Sequence, residues 1–209
     1  MSNLYFRPNT WDSNIWNCIV EQNEYGIRDS WPFSFIDIGG HIGSFSYFMM
    51  TKKGATKGIV IEPDSDNYNI LTHNLKPYIE NHTITAFNVG IGLPGHKLCM
   101  HQSAGANTGG IQYIPSNSGH INTIQLDDII NLTYNNQPIL LKLDCEGCEY
   151  EALESCSQLH KISCIVGEFH YRNTRNVFTL KTLLESQNFA FAYHHTGPDI
   201  GLFGAHKLA

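Results

Sequence analysis

No stretch of this chain is apolar for the ~18 residues that crossing a bilayer requires. The amino terminus, Met1 to Asn9, has neither the basic nor the apolar region of a secretory leader. Both absences lead us to expect a cytoplasmic protein with no membrane partner. Charge is scarce as well, at 15% of residues, and the net value of −6 is spread along the chain rather than gathered in a tail or a basic stripe. A polyanion such as nucleic acid is therefore not an expected partner. Six cysteines, Cys18, Cys99, Cys145, Cys148, Cys156 and Cys164, are too sparse for a disulfide framework, so free thiols are expected. Repeats and linkers are missing too. With 42% hydrophobic residues in 209 positions, the chain can bury a full core as a single domain, 1–209, without structural metal.

What is present is an alternation of strand-like and helix-like segments. Trp11, Ile15, Trp16, Ile19 and Val20 fall on one helical stripe, with Asn9, Thr10 or Asp12 available to cap it, and make a helical lead-in within 1–30. After Trp31 and Pro32, the apolar run from Phe33 stops at Gly39-Gly40 and a helix-like stretch follows from Ile42 to Met50, which is strand, glycine turn and helix. Gly58 to Glu62 predicts a second buried strand, followed by a helix capped by Asp64, Ser65 or Asp66 and running to about Lys76, before Pro77. Three more strands are predicted at Thr83 to Val89, Pro138 to Leu143 and Ile162 to Glu168, with helices near Tyr150 to Leu159 and Asn176 to Gln187. Phe189 to His194 and Leu202 to Lys207 suit a closing hairpin. Residues 90–122 are rich in Gly, Ser and Asn and weakly periodic, which predicts a loop-rich insertion over one edge of the sheet. The alternation predicts a doubly wound α/β fold, with an open, mostly parallel sheet, helices on both faces, and ligands at the carboxyl ends of the strands where strand order reverses.

The glycine turn narrows the ligand. A dinucleotide fingerprint starting at Gly39 would need glycine where His41 and Ser44 stand. Instead, Asp37-Ile38-Gly39-Gly40-His41-Ile42-Gly43 ends a strand with an acid and lets backbone approach a ligand closely. A pyrophosphate prefers the bare positive end of a helix, whereas an ammonium and a sulfonium favour a carboxylate, which suits S-adenosylmethionine. Asp37 supplies that charge, directly or through water, and Glu62 at the tip of the second strand can accept hydrogen bonds from both hydroxyls of a ribose. Glu62 alone would serve a nicotinamide cofactor equally well. Each acid also has a plain structural use, as a turn carboxylate or a helix cap.

From about Phe35 to the carboxyl end the chain resembles the FkbM-type S-adenosylmethionine-dependent methyltransferases. The first glycine motif, Phe35 to Gly43, carries the resemblance, as do Glu62-Pro63 with Leu71 and Asn74 behind it, and Leu126-Asp127-Asp128. Its most specific part is Leu141-Lys142-Leu143-Asp144-Cys145-Glu146-Gly147-Cys148-Glu149, similar to the family's Lys-x-Asp-x-Glu-Gly-x-Glu signature, followed by Glu168-Phe169-His170 as its Glu-x-His. The resemblance implies a class I, Rossmann-like fold with a seven-stranded sheet and an antiparallel strand near the carboxyl end. It implies S-adenosylmethionine on Asp37, Gly39, Gly40, His41, Gly43, Glu62 and Asp144. Gly92 stands where the family often has an acid or amide, which leaves adenine recognition to Asn88 or Val89. The cysteines flanking Glu146-Gly147 also depart from the family's small aliphatic residues.

Read without the family, Asp144, Glu146 and Glu149 are three acids packed at a strand end that feeds a helix. Glu149 suits the charge of a first helical turn. Asp144 would orient a substrate, Glu146 would accept its proton or hold a substrate donor, and His170, with an ordinary pKa of about 6.5, would serve as a base near neutral pH. Lys142 points to the same sheet face as Asp144 and pairs with a neighbouring acid. Cys145-x-x-Cys148 has the spacing of zinc and redox sites but lacks a second ligand pair, which makes Cys145 an inward filler. A mononuclear metal on Asp144, Glu168 and His170 competes for the same cluster; carboxylates with one histidine speak for it weakly, and no metal is expected. The function that follows is methyl transfer, to a sugar or natural-product hydroxyl or, as the nearer rival, to an amide or peptide nitrogen, with a homodimer allowed. A nicotinamide-dependent oxidoreductase and a non-catalytic binding subunit are the readings from other classes.

Overall fold

The structure, a computed structural model, describes residues 4–28, 33–102, 105–133, 137–172 and 174–208; Trp31 and Pro32, placed above before the first strand, lie outside them. In chain order the elements are α1 (Asp12–Trp16) with a π-type turn (Asn17–Glu21), β1 (Ser34–Ile38), α2 (Ser44–Lys52), β2 (Lys57–Ile61), α3 (Ser65–Asn74), α4 (Lys76–Glu80) and β3 (Ile84–Phe87). Four short strands follow, β4 (Gly90–Ile91), β5 (Lys97–Gln102), β6 (Gln112–Pro115) and β7 (Ile121–Ile124). The chain ends with α5 (Leu126–Thr133), β8 (Ile139–Leu143), α6 (Glu149–Glu154), a 3-10 turn (Leu159–Lys161), β9 (Cys164–His170), α7 (Val177–Ser186), β10 (Phe189–His195) and β11 (Ile200–Lys207).

Seven strands form the main sheet in the order β10-β11-β9-β8-β1-β2-β3. Neighbours pair parallel from β9 to β3, and β11 runs antiparallel to both β9 and β10. This is the doubly wound, seven-stranded fold with one late antiparallel strand. Alternate residues along the central strands feed two cores. Ile36, Ile38, Ile59, Ile61, Leu141 and Leu143 pack under α5, α6 and α7, while Phe35, Val60 and Leu140 pack under the lead-in helix, α2 and α3. Strands buried on both faces read as continuous apolar runs, which is why β1, β2 and β8 stand out in the sequence. From β1 the chain winds out through β2 and β3, then returns to β8 on the other flank of β1, so strand order reverses between β1 and β8.

The segment 90–122, expected to be loop-rich, carries three strands and the start of the fourth in a small second sheet ordered β4-β7-β5-β6. Its strands are two to six residues long and bury little more than Leu98 and Ile121. So short a buried face sets no readable period of two. The lead-in helix differs as well. The π-type turn widens it, leaving Trp16, Ile19 and Val20 buried and Trp11 54% exposed. No side chain caps α1; Asp12, offered as a cap, is fully buried against Arg7. Pro77 does not merely end α3 but sits in the first turn of α4, where its missing N–H costs nothing.

Candidate active site

A cavity of about 1110 Å³ opens over the strand ends at the reversal point. One wall is the turn after β1. Gly39 has φ +79°, and a Cβ added to it would lie 1.8 Å from the Asp144 carbonyl oxygen; at Gly40 it would lie 2.4 Å from Val60 Cγ1. Only glycine fits where β1 and β8 diverge this closely. Gly43, at φ +90°, precedes α2 and abuts Leu75.

Asp37 is not on that wall. Its place in β1 points it under α2, where it is fully buried and accepts a 2.7 Å hydrogen bond from Ser46. Directly opposite in the register, Lys142 sets its Nζ 3.2 Å from Asp37 Oδ1. The carboxylate therefore serves the lysine, and not a ligand as expected. The lysine ammonium carries the charge forward, donating to the carbonyls of Ile38 and Gly39 and standing 3.7 Å from Asp144 Oδ2. Burial works against that ammonium, but Asp37 and Asp144 raise its pKa above the ordinary lysine value, so it stays charged.

Glu62 follows β2 and lines the cavity with only 5% of its surface exposed. Its Oε2 accepts from the His41 N–H at 2.7 Å and its Oε1 from the Asp64 N–H at 2.9 Å, so backbone holds the carboxylate rigid. Burial pushes its pKa up to about 7, with the two N–H groups offsetting part of the shift. His41, at φ +48°, sends its ring outward into a network: Nε2 lies 2.9 Å from Thr108 Oγ1, 3.3 Å from Arg7 and 3.4 Å from Asp12. Burial lowers the His41 pKa. Asp12 is buried too, but hydrogen bonds from His41, Arg7 and Thr108 hold it well below the ordinary carboxylate range. Asn88 does not face the cavity. Its amide donates to the carbonyls of Glu62 and Pro63, and the lining continues past it and Val89 through Gly90, Ile91 and Gly92.

The opposite wall is acidic. Asp144, at the end of β8, accepts a 2.9 Å hydrogen bond from the Tyr25 hydroxyl. Glu146 (φ +57°) and Gly147 (φ +104°) turn the loop back, and Glu149, fully buried at the start of α6, ties it by accepting from the N–H groups of Cys145 and Gly147. At the end of β9, His170 meets three carboxylates. Nε2 is 3.3 Å from Glu146 and 3.4 Å from Glu168, and Nδ1 is 3.4 Å from Glu149. Burial opposes protonation of the ring, yet Glu149 and Glu168 push its pKa up to about 11. These carboxylates oppose loss of the ring proton unless another cation takes its place, which sets the surroundings of His170 against its expected role as a base. Burial, with Asp144 and Glu168 near, pushes Glu146 up to about 7 despite His170, within reach of proton transfer near neutrality.

Cys145 and Cys148 are joined by a disulfide, against the expectation of free thiols; Cys18, Cys99, Cys156 and Cys164 are free. Two successive positive-φ residues fold the loop until the Cα atoms are 5.5 Å apart, within bridging range. Tyr25, Arg7, Thr108 and Glu149 were not singled out as site residues. Only Glu149 had a local signal, as the third acid of its cluster; the others reach the site through tertiary contacts.

A model of the FkbM methyltransferase domain matches residues 37–191, from the acid of β1 into β10. The chain belongs to the FkbM methyltransferase family. No curated protein matches it. Among solved structures, the FkbM methyltransferase of Methylobacillus flagellatus aligns over 89% of this chain with 20% identity and a TM-score of 0.59; the chain spans 47% of that protein's length. TrmK of M. capricolum, solved with S-adenosylhomocysteine, aligns over 90% of this chain and 67% of its own at 13% identity, TM-score 0.54. A precorrin-6y C5,15-methyltransferase from Geobacter metallireducens aligns over 97% and 93% at 10% identity, TM-score 0.53. At these identities the likeness is one of fold. No helix among the described residues of this FkbM family member is long and apolar enough to cross a membrane.

Proposed function

We propose that the chain transfers the methyl group of S-adenosylmethionine to a hydroxyl of a small polyhydroxylated acceptor such as a sugar. The observation that carries this is one cavity with two unlike walls. On one, Gly39, Gly40 and the rigid Glu62 carboxylate suit a cofactor with a ribose and an amino-acid tail; on the other, Asp144, Glu146 and Glu168 present hydrogen-bond acceptors to an acceptor rich in O–H groups. At about 1110 Å³ the cavity exceeds the range for a single small ligand, roughly 300–1,000 Å³, which suits cofactor and acceptor side by side. Acceleration comes mainly from holding the hydroxyl oxygen in line with the methyl carbon at about 3 Å. Glu146, not His170, takes the proton.

Thermal unfolding of the protein alone and with S-adenosylmethionine, S-adenosylhomocysteine or NAD tests the cofactor. A ligand at about 100 times its Kd adds about 2.7 kcal/mol, or about 5–10 °C in Tm for a chain of this size. The expected result is a shift with the two adenosyl-sulfur ligands that Glu62→Ala removes. A shift with NAD alone overturns the reading. Transfer of labelled methyl groups to polyols, saccharides, amines and peptides then separates oxygen from nitrogen acceptors.

A further inference from the structure

We propose that Glu146, Glu168 and His170 bind a divalent cation of the Mg2+/Mn2+ class, which holds the acceptor oxygen beside the transferable methyl group. The cation site stands on its own geometry, and its role toward the acceptor rests on the methyl-transfer reading above.

Three donor atoms, one from each residue, lie within 4.8 Å of one another. His170 Nε2 stands 3.3 and 3.4 Å from the two glutamate oxygens. Around an octahedral cation with bonds of about 2.1 Å, adjacent donors are about 3.0 Å apart, so His170 Nε2 needs to close on each glutamate oxygen by only a few tenths of an ångström. Two carboxylates and one imidazole, whose Nε2 proton the cation displaces on binding, form a hard-to-borderline oxygen and nitrogen set that Mn2+ accepts. Cys145 and Cys148, on either side of Glu146-Gly147, are bound to each other and are not thiolates.

A second observation is independent of the acidic cluster. The other ring nitrogen, Nδ1, faces Glu149 Oε1 at 3.4 Å. A carboxylate behind the imidazole is the arrangement that fixes the ring of a metal-bound histidine. Glu149 is fully buried, and its Oε2 has no hydrogen-bond partner among the described residues. Such a carboxylate is costly to bury unless positive charge stands nearby. Glu24, Asp144, Glu146, Glu149 and Glu168 gather here around Lys142 and His170, while the Arg172 guanidinium is spent on the Glu146 carbonyl. Glu146 and Glu168 line the cavity, so positions the protein leaves free on the ion open toward the acceptor. There the acceptor oxygen forms its bond to the methyl carbon as the carbon–sulfur bond breaks. The bonding pair goes to sulfur, giving S-adenosylhomocysteine, and the hydroxyl proton leaves to the second oxygen of Glu146.

The test is titration of chelator-treated protein with MnCl2 at pH 8, following the electron paramagnetic resonance signal of free Mn2+, with S-adenosylmethionine affinity measured separately by calorimetry. Saturable uptake of one ion per chain is expected, weakened at least tenfold by Glu168→Gln and by Glu146→Gln. Glu185→Gln, on the distant surface of α7, is expected to leave it intact. No uptake by the wild-type protein, or uptake that survives both glutamine variants, overturns the proposal. If the cofactor binds and Mn2+ does not, the cation site falls and the methyl-transfer reading stands. If Mn2+ binds and the cofactor does not, the reverse holds.

Discussion

On one wall of the cavity Gly39 lies so near the Asp144 carbonyl that an added Cβ would sit 1.8 Å from it; on the other, Glu146, Glu149 and Glu168 all stand within 3.4 Å of one imidazole. The first wall is shaped by close approach of backbone and has no room for another atom. The second is shaped by opposed charges and has little tolerance for losing one. Lys142 joins them, bonded to the carbonyls of the glycine turn and placed between Asp37 and Asp144. A cofactor with a fixed shape suits the first wall, and an acceptor or cation recognised by charge and hydrogen bonding suits the second.

The largest effect is expected at the joint. Lys142→Met leaves Asp37 buried without its cation, a change that costs about 3–5 kcal/mol. Thermal unfolding should show Tm lower by about 6–20 °C. A loss under 3 °C would mean that the walls are not joined by charge. Next comes Gly39→Ala, which meets both the left-handed backbone penalty of about 1–2 kcal/mol and the overpacking cost of about 1–3 kcal/mol. Gly54→Ala, at φ +72° with open space around it, carries the backbone penalty alone. The difference in Tm between these two variants isolates the close approach, and equal losses would refute it.

Third is the acidic wall's own staple. The Cys145–Cys148 bridge closes a loop of about four residues, for which chain entropy gives ~2 kcal/mol. Replacing both cysteines by serine should lower Tm by about 4–8 °C and loosen the loop that aims Glu146. A dithiol reductant should lower the Tm of the wild-type protein to match and leave the double variant unmoved. Identical behaviour of the wild type with and without reductant would show that the bridge contributes nothing to the wall.

The same contrast explains what was legible in the sequence. Apolar runs such as Phe35-Ile36 and Ile59-Val60-Ile61, each stopped by an acid or a glycine, announce strands buried on both faces and the turn between β1 and α2. The glycine wall is a local feature, and local pattern reveals it. The acidic wall is assembled from residues far apart. Tyr25 meets Asp144 across 119 positions, and Arg172 meets Glu146 across 26. Nothing in the spacing of Glu146, Glu149, Glu168 and His170 shows that three carboxylates share one ring, so the sequence points to an ordinary histidine pKa where the fold pushes it up. Asp37 misled for a different reason. Position 37 alternates onto the face under α2, and only the register beside Lys142 shows where its charge goes. The C-x-x-C spacing was visible, whereas the paired positive φ angles of Glu146 and Gly147 that close it were not.

The smallest expected effect is a pH dependence confined to the glycine wall. Burial raises the Glu62 carboxyl to about 7, above its unfolded value of about 4.3. The fold therefore prefers the neutral acid and loses stability as pH climbs from the ordinary glutamate range to about 7, with no further loss above it. Cofactor binding runs the opposite way, because the ionised carboxylate accepts from both ribose hydroxyls while the neutral acid has an O–H of its own to place. With a pKa near 7, about a tenth of Glu62 is ionised at pH 6 and about nine-tenths at pH 8, so affinity for S-adenosylmethionine should rise about tenfold between them. Glu62→Gln, which keeps the shape and removes the titration, should flatten that profile at the weaker level. The acidic wall provides the counter-test. If calorimetry shows the same slope in Glu62→Gln, the titrating group belongs to that wall, and the two walls are coupled more tightly than their separate contacts suggest.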